Sequence, residues 1–324
     1  MEQTKRKVRC MRIQNMVCML FCILLAGTVA GCRRQGSRPA VMRVGHALQD
    51  LNNPVWAARS VALERLIARE GGQITVVDCK NNVATQISQI ENLVASGINV
   101  LVIHPAEKNA IDAALKAVRD RGIKVFVYDD DIVNADICWM VENYKAGYMI
   151  GEWAANWINE KFGGSCEVAI LNYPQLQVLL ERGNGIVDAI KAIAPNARIV
   201  AESSAINTTE GMAKTETFLQ AYPNIKVIAS IGGGGAVGAN EAIKASGKLT
   251  PDFGIFASDA TPEELEAIAK DEAIRMSIMY TGTPEQFGEV VYGMIYKLYR
   301  GEPVDKNQYL TLIPVTKDNY RDFL

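Results

Sequence analysis

Polar side chains able to grip hydroxyl groups stand directly behind apolar runs at several places in this 324-residue sequence. Gln49-Asp50-Leu51-Asn52-Asn53-Pro54-Val55-Trp56 follows the run 41–47, Asp129-Asp130-Asp131 follows 124–128, and Asn172-Tyr173 follows 167–171. Gly232, Asp259 and Tyr280 mark the ends of later runs. A carboxylate accepts two hydroxyl protons, an amide both donates and accepts, and a guanidinium such as Arg182 donates a planar fork. Charge-assisted bonds of this kind are about twice as strong as neutral ones. An indole such as Trp56 can cover the apolar C–H face of a pyranose or furanose ring. Around Trp56 the spacing leaves two readings open. One is a sugar-binding loop; the other is a helix start capped by Asn53, with Pro54 first in the helix and a packed indole.

Other chemistries find less support. Gly232-Gly233-Gly234-Gly235 before a helix starting at Ala236 could cradle an anion, but no Lys-Ser/Thr follows as a P-loop requires. The glycines are better read as a tight strand-to-helix turn that clears side chains from beside a ligand. Asp129-Asp130-Asp131 lacks the spaced oxygen donors of a calcium loop. His46 and His104 are the only histidines, and neither sits by a G-x-S-x-G nucleophile turn. Neither metal nor cofactor is expected, and catalytic residues are not assigned.

The elements that must carry these residues alternate β and α. Apolar runs at 41–47, 73–79, 100–104 and 124–129 interleave with helical patterns at 55–70, 83–96 and 106–120. Val83, Ile87, Ile90 and Val94 recur at helical spacing, so each helix offers one stripe to a sheet. Near-continuous apolar strands suit a parallel sheet covered on both faces. A long helix at 144–162 opens a second such unit, which continues through strands at 167–171, 198–203, 226–231, 253–258 and 274–280. Thr261-Pro262-Glu263-Glu264 and Thr283-Pro284-Glu285-Gln286 each read as a threonine cap, a proline at the first helical position and a side chain reaching back. In such sheets ligands bind beyond the carboxyl ends of the strands, which is where the polar residues stand.

Composition limits the function classes. With 49% apolar and 22% charged residues the chain has an ordinary globular make-up, long enough for two cores. Residues 1–31 hold five basic residues and one acid; the remainder has 29 basic against 35 acidic, a net charge of -6. Nucleic acid is therefore an unsuitable partner. The basic start and the uncharged run 16–30 read as a signal peptide, too short to span a bilayer. Val29-Ala30-Gly31-Cys32 resembles a bacterial lipobox, which makes Cys32 the expected lipidation site and 32–40 a tether. The mature chain is then expected outside the cytoplasm, lipid-anchored to a membrane on its periplasmic or extracellular face. Cys79, Cys138 and Cys166 are odd in number and lack C-x-x-C spacing, so they read as core fillers.

Leu51-Asn52-Asn53-Pro54, Asp78 with Asn81-Asn82, Asp129, Glu181-Arg182-Gly183, Val237-Gly238-Ala239 and Asp259-Ala260-Thr261-Pro262 occur in an order that resembles the type I periplasmic binding proteins of the ribose/galactose group. The resemblance spans 41–324. It implies an α/β fold of two Rossmann-like, doubly wound parallel-sheet domains, joined by three crossovers near 141–143, 280–282 and 310–312, with a ligand cleft between them. The lobes would be 41–141 plus 282–310 and 142–281 plus 311–324. By the same resemblance Asn53 and Asp129 bind hydroxyls from the first lobe, Arg182 and Asp259 from the second, and Trp56 stacks on the ring. Gln49, Asp130, Tyr173, Gly232 and Tyr280 complete the expected lining.

Asp130 stands where arginine usually follows the aspartate, Gly232 in place of asparagine, Ser258 in place of an aromatic and Tyr280 in place of glutamine. These departures point to a polyol or a differently substituted sugar rather than ribose. The resemblance implies the substrate-binding component of an ABC importer, a monomer presenting a monosaccharide or polyol to a membrane permease. A sugar-sensing module for a chemoreceptor or histidine kinase, and a sugar-acting enzyme using Asp129, Asp130 and Asp259, are the alternatives.

Overall fold

The structure, a computed structural model, describes residues 41–324; the expected signal segment, the tether from Cys32 and the lipidation site lie outside the described residues. In the first half β1 (Arg43–Leu48), β2 (Gln73–Asp78), β3 (Val100–Ile103), β4 (Lys124–Tyr128) and β5 (Ile137–Met140) alternate with α1 (Pro54–Arg69), α2 (Val83–Ala95) and α3 (Lys108–Asp120). All four residues of β3 are buried, as a central parallel strand covered on both faces requires. Successive side chains go to opposite faces. Val100, Val102, Phe126 and Tyr128 pack in a core with Leu63 and Ile67 of α1, while Leu101, Ile103, Val125 and Val127 pack with Ile90 of α2 and Leu115 of α3.

The second half repeats the plan. After α4 (Asn143–Phe162) come β6 (Glu167–Asn172), α5 (Gln177–Ile193), β7 (Arg198–Ser204), α6 (Thr208–Ala221), β8 (Ile225–Ser230), α7 (Gly233–Ala245), β9 (Gly254–Ser258), α8 (Pro262–Ala269) and β10 (Ile274–Tyr280). The chain ends with α9 (Pro284–Arg300), β11 (Asn307–Tyr309), β12 (Leu312–Val315) and a 3-10 turn (Tyr320–Phe323). Both capping boxes are formed: Thr261 with Glu264, and Thr283 with Gln286.

Two six-stranded sheets result, with orders β2-β1-β3-β4-β5-β11 and β7-β6-β8-β9-β10-β12. Every pairing is parallel except that of β12 with β10. The fold is thus two doubly wound α/β lobes. The chain passes between the sheets three times: after β5, between β10 and β11, and through the two residues that separate β11 from β12. These passages bond to one another, Thr281 N–H to the Thr311 carbonyl at 2.9 Å and Leu310 N–H to the Met140 carbonyl at 2.9 Å. Sequence periodicity shows none of β5, β11 and β12: β11 is three polar or half-polar residues, held by its partner rather than by its own pattern.

Two close helix approaches shape the second lobe. A Cβ at Gly147 of α4 would overlap the backbone carbonyl of Arg182 on α5, and one at Gly238 of α7 would overlap the Thr208 carbonyl of α6. The glycine run is therefore not a turn before a helix starting at Ala236. Gly232 is the N-cap, α7 begins at Gly233, and its glycines allow tight packing against the neighbouring helix. Gly147→Ala is expected to destabilise the protein by at least about 1–3 kcal/mol, read as a lower urea midpoint. An unchanged midpoint would mean that α4 and α5 have slack to separate.

Candidate functional site

The carboxyl ends of the two sheets face a shared cavity of about 300 Å³. From the first lobe Trp56 and Arg59 of α1 and Asp129, just beyond β4, line it; from the second come Val178 and Arg182 of α5 and Asp259, just beyond β9. The crossovers supply Val141, Asn143, Tyr280 and Leu310. An outer chamber of about 470 Å³ shares Asp129, Val141, Asn143 and Val178 with it and adds Asp130, Asp131 and Glu181.

Both strand-end aspartates have left-handed backbones, φ 60° at Asp129 and 100° at Asp259. This conformation is disfavoured for residues with a Cβ and persists where the surroundings impose it, often at functional sites. Asp259 is fixed by the Gly233 N–H donating to Oδ2 at 2.9 Å and by the Ser258 hydroxyl at 3.3 Å. A Cβ on Gly232 would lie 3.1 Å from the same carboxylate oxygen, so that glycine leaves room for it.

Arg182 is 8% exposed and satisfied largely by protein. Its Nη1 donates to the Ile231 carbonyl at 2.7 Å and the Ser258 hydroxyl at 3.1 Å, and its Nε and Nη2 donate to Asn143 Oδ1 at 3.2 and 2.7 Å. Trp56 sits on an aromatic platform, 4.3 Å from the His104 ring and 5.0 Å from Tyr128 between centroids. The Tyr280 hydroxyl is buried beside Arg182 and Ser258, and burial pushes it up to about 12.

Asp129 Oδ2 lies 3.6 Å from His104 Nε2, and its side chain keeps 40% of its surface open toward the cleft. Crowding by the walls, then Asp130, pushes its carboxyl up to about 6 against the pull of Arg59 and Arg182. Burial and Arg59 hold His104 down to about 4, so it is neutral where Asp129 titrates. Ligand hydroxyls donate best to the ionised carboxylate. Affinity is therefore expected to fall as pH drops through about 6 and to level off above pH 7. Calorimetry across that range checks this, and a pH-independent affinity would remove Asp129 from ligand contact.

Trp56, Asp129, Arg182, Asp259 and Tyr280, five residues expected from sequence, meet in the inner cavity, and Asp130 lines the outer chamber. Four others do not line either space. Asn53 is exposed and its Oδ1 accepts the Val55 N–H at 3.0 Å, the helix-cap reading. Gln49 offers its backbone carbonyl to Asn81 N–H, Tyr173 packs half-buried against the core, and Gly232 stands behind Asp259. Sequence reasoning missed Arg59 and Asn143. Arg59 carried a signal, being a cation one turn beyond Trp56 and next to buried Ser60, on the inward stripe of α1. Among the described residues no cluster of three or more His, Cys, Asp or Glu is placed to hold a metal ion, and no helix is long and apolar enough to cross a membrane.

A family profile described as periplasmic binding protein domain matches residues 44–303. The chain belongs to that family. Within the periplasmic binding protein family it is similar to the ribose import binding protein RbsB of Bacillus subtilis (strain 168), 28% identical over 267 residues that cover 81% of this chain and 83% of that protein. A putative rhizopine-binding protein of Rhizobium meliloti is 26% identical over 259 residues, 78% and 83% of the two chains. Among solved structures, an ABC transporter periplasmic solute binding protein from Actinobacillus succinogenes 130z with bound D-allose superposes with a TM-score of 0.73 at 19% identity, covering 87% of this chain and 99% of that one. An ABC transporter solute binding protein from Bacillus halodurans C-125 with bound myo-inositol gives 0.71 at 18% identity, with 89% and 98% covered. These structural likenesses carry the two-lobed fold.

Proposed function

We propose that the chain is the solute-binding component of an ABC importer, closing its two lobes on a neutral monosaccharide or polyol and presenting it to a membrane permease. The observation that carries this reading is one cavity receiving an aspartate from each lobe, Asp129 and Asp259, together with Arg182, the indole of Trp56 and the ring of Tyr280. Two acceptors, a guanidinium and a ring face suit a hydroxylated ring. The relatives named for ribose import, and the related folds seen with D-allose and myo-inositol, support the ligand class. Tyr280 lines this cavity, Asp130 lines the chamber beside it, and Gly232 and Ser258 set the Asp259 carboxylate, so the expected guest is a sugar or polyol other than ribose.

The lobes are 41–141 with 282–310 and 142–281 with 311–324. Closure of the lobes on the ligand holds both aspartates against one guest. The protein holds its ligand without transforming it. It acts as a monomer outside the cytoplasm, anchored by acyl chains on Cys32. Cys32→Ala is expected to move the protein from the membrane to the soluble envelope fraction, and retention on the membrane would exclude that anchor.

The test of the ligand class is a thermal-shift panel of pentoses, hexoses, polyols and nucleosides on the full chain. A ligand at 100 times its dissociation constant adds about 2.7 kcal/mol, a rise of several degrees. The expected result is a shift with a neutral sugar or polyol, recovered chemically unchanged. Selective, tight ribose binding would contradict the ligand assignment, and product formation would contradict the binding role.

A further inference from the structure

We propose that Arg59 is a ligand-contacting, specificity-determining residue that donates the free edge of its guanidinium to a vicinal pair of oxygens on a neutral polyol resting against Trp56. This inference rests on the proposed function.

Arg59 lies one turn beyond Trp56 on α1, so both face the same cavity. Its guanidinium carbon sits 4.1 Å from the Phe287 ring centroid and 5.3 Å from that of Trp56. Such contacts hold a planar cation in one orientation. One nitrogen, Nη2, donates to the Tyr280 carbonyl at 3.3 Å; the other N–H groups have no hydrogen-bond or ion-pair partner among the described residues. Arg182 differs, since Asn143, Ile231 and Ser258 already take most of its fork. Arg59 is thus the guanidinium with donors left to give.

A half-buried cation with unmet donors gains most from a guest that supplies acceptors in the plane of the fork, and two adjacent oxygens match its parallel N–H groups. Asp129 and Asp259 line the same cavity and balance the charges of Arg59 and Arg182, so an anionic guest meets no net positive charge there. The geometry therefore favours a neutral pair of hydroxyl or ring oxygens over a carboxylate. Lysine at this position keeps the charge but loses the fork and its stacked plane.

The experiment is titration calorimetry of the full chain with neutral pentoses, hexoses and cyclitols, and with D-glucuronate as the acidic probe. The tightest neutral probe is then repeated as analogues lacking one hydroxyl. Arg59→Lys is expected to weaken that probe about 10- to 100-fold, with the ligand-free urea midpoint close to wild type. Loss of one particular hydroxyl should cost the wild type affinity and cost Arg59→Lys little, a coupling that a purely structural arginine would not give.

If Arg59→Lys binds within about threefold of wild type while Asp259→Asn weakens binding, the cleft stands and the role of Arg59 falls. Equal loss for every deoxy analogue would make Arg59 a structural support and overturn the inference. Tighter binding of D-glucuronate, abolished by Arg59→Lys, would overturn the neutral ligand class. A wild-type chain that binds none of the probes would overturn the proposed function and this inference with it.

Discussion

Arg182→Ala is expected to lower affinity for the bound sugar by about 2–5 kcal/mol, some 30-fold to several thousand-fold, because it truncates a buried, hydrogen-bonded charge. The loss has two sources. The guest loses the donor that faces it from the second lobe. The pocket also loses its internal frame, since the Ile231 carbonyl, Ser258 hydroxyl and Asn143 amide oxygen all lean on this one guanidinium. Ser258 in turn bonds Asp259, so the second strand-end carboxylate should lose definition too. Lysine cannot restore this, because a single ammonium does not reach both Asn143 and the Ile231 carbonyl in the fork's geometry. Calorimetry of Arg182→Ala and Arg182→Lys reads the effect, and wild-type affinity in either would take Arg182 out of the site.

The second large effect concerns Glu264, the capping residue of α8. Its side chain is fully buried, accepts the Thr261 N–H at 2.8 Å and meets the Ser277 hydroxyl at 2.8 Å. Burial, then the nearby Asp259, pushes its carboxyl up to about 8, so at pH 7 it is largely neutral. In the unfolded chain the same group ionises near its ordinary value of about 4.3. The folded form therefore binds the extra proton between those values. The stabilisation is fully present below the unfolded value, declines as pH rises toward 8, and is lost above it. Glu264→Gln, a neutral mimic, should match the wild type near pH 4 and exceed it in stability by a few kcal/mol at pH 9. Urea unfolding at both pH values checks this. Parallel stability curves for the two proteins would show that Glu264 is ionised when folded.

The architecture was legible because its signals are local. Near-continuous apolar runs such as Val100-Leu101-Val102-Ile103, short and β-branched, suit central parallel strands, and Thr261 and Thr283 announce their helices by side chains that act within one turn. Asp129 and Asp259 were legible for a related reason, since the residue after a parallel strand lies at the ligand-facing edge. What remained hidden depends on distant partners. Asn143 joins the site through Arg182, thirty-nine positions later, and Leu310 through a crossover that bonds Met140. The glycine run looked like a turn because its meaning is the closeness of another helix. Asn53 shows the opposite limit: its type fits sugar binding, and the structure places it exposed at the helix N-cap, where its Oδ1 accepts the Val55 N–H.

A crystal structure of the full chain grown with its tightest-binding sugar tests the account most directly. The expected density is a single unmodified guest between the sheets, within hydrogen-bonding distance of Asp129, Arg182 and Asp259 at once, with one face on Trp56. A guest contacting one lobe only, or bound away from those four side chains, would contradict it.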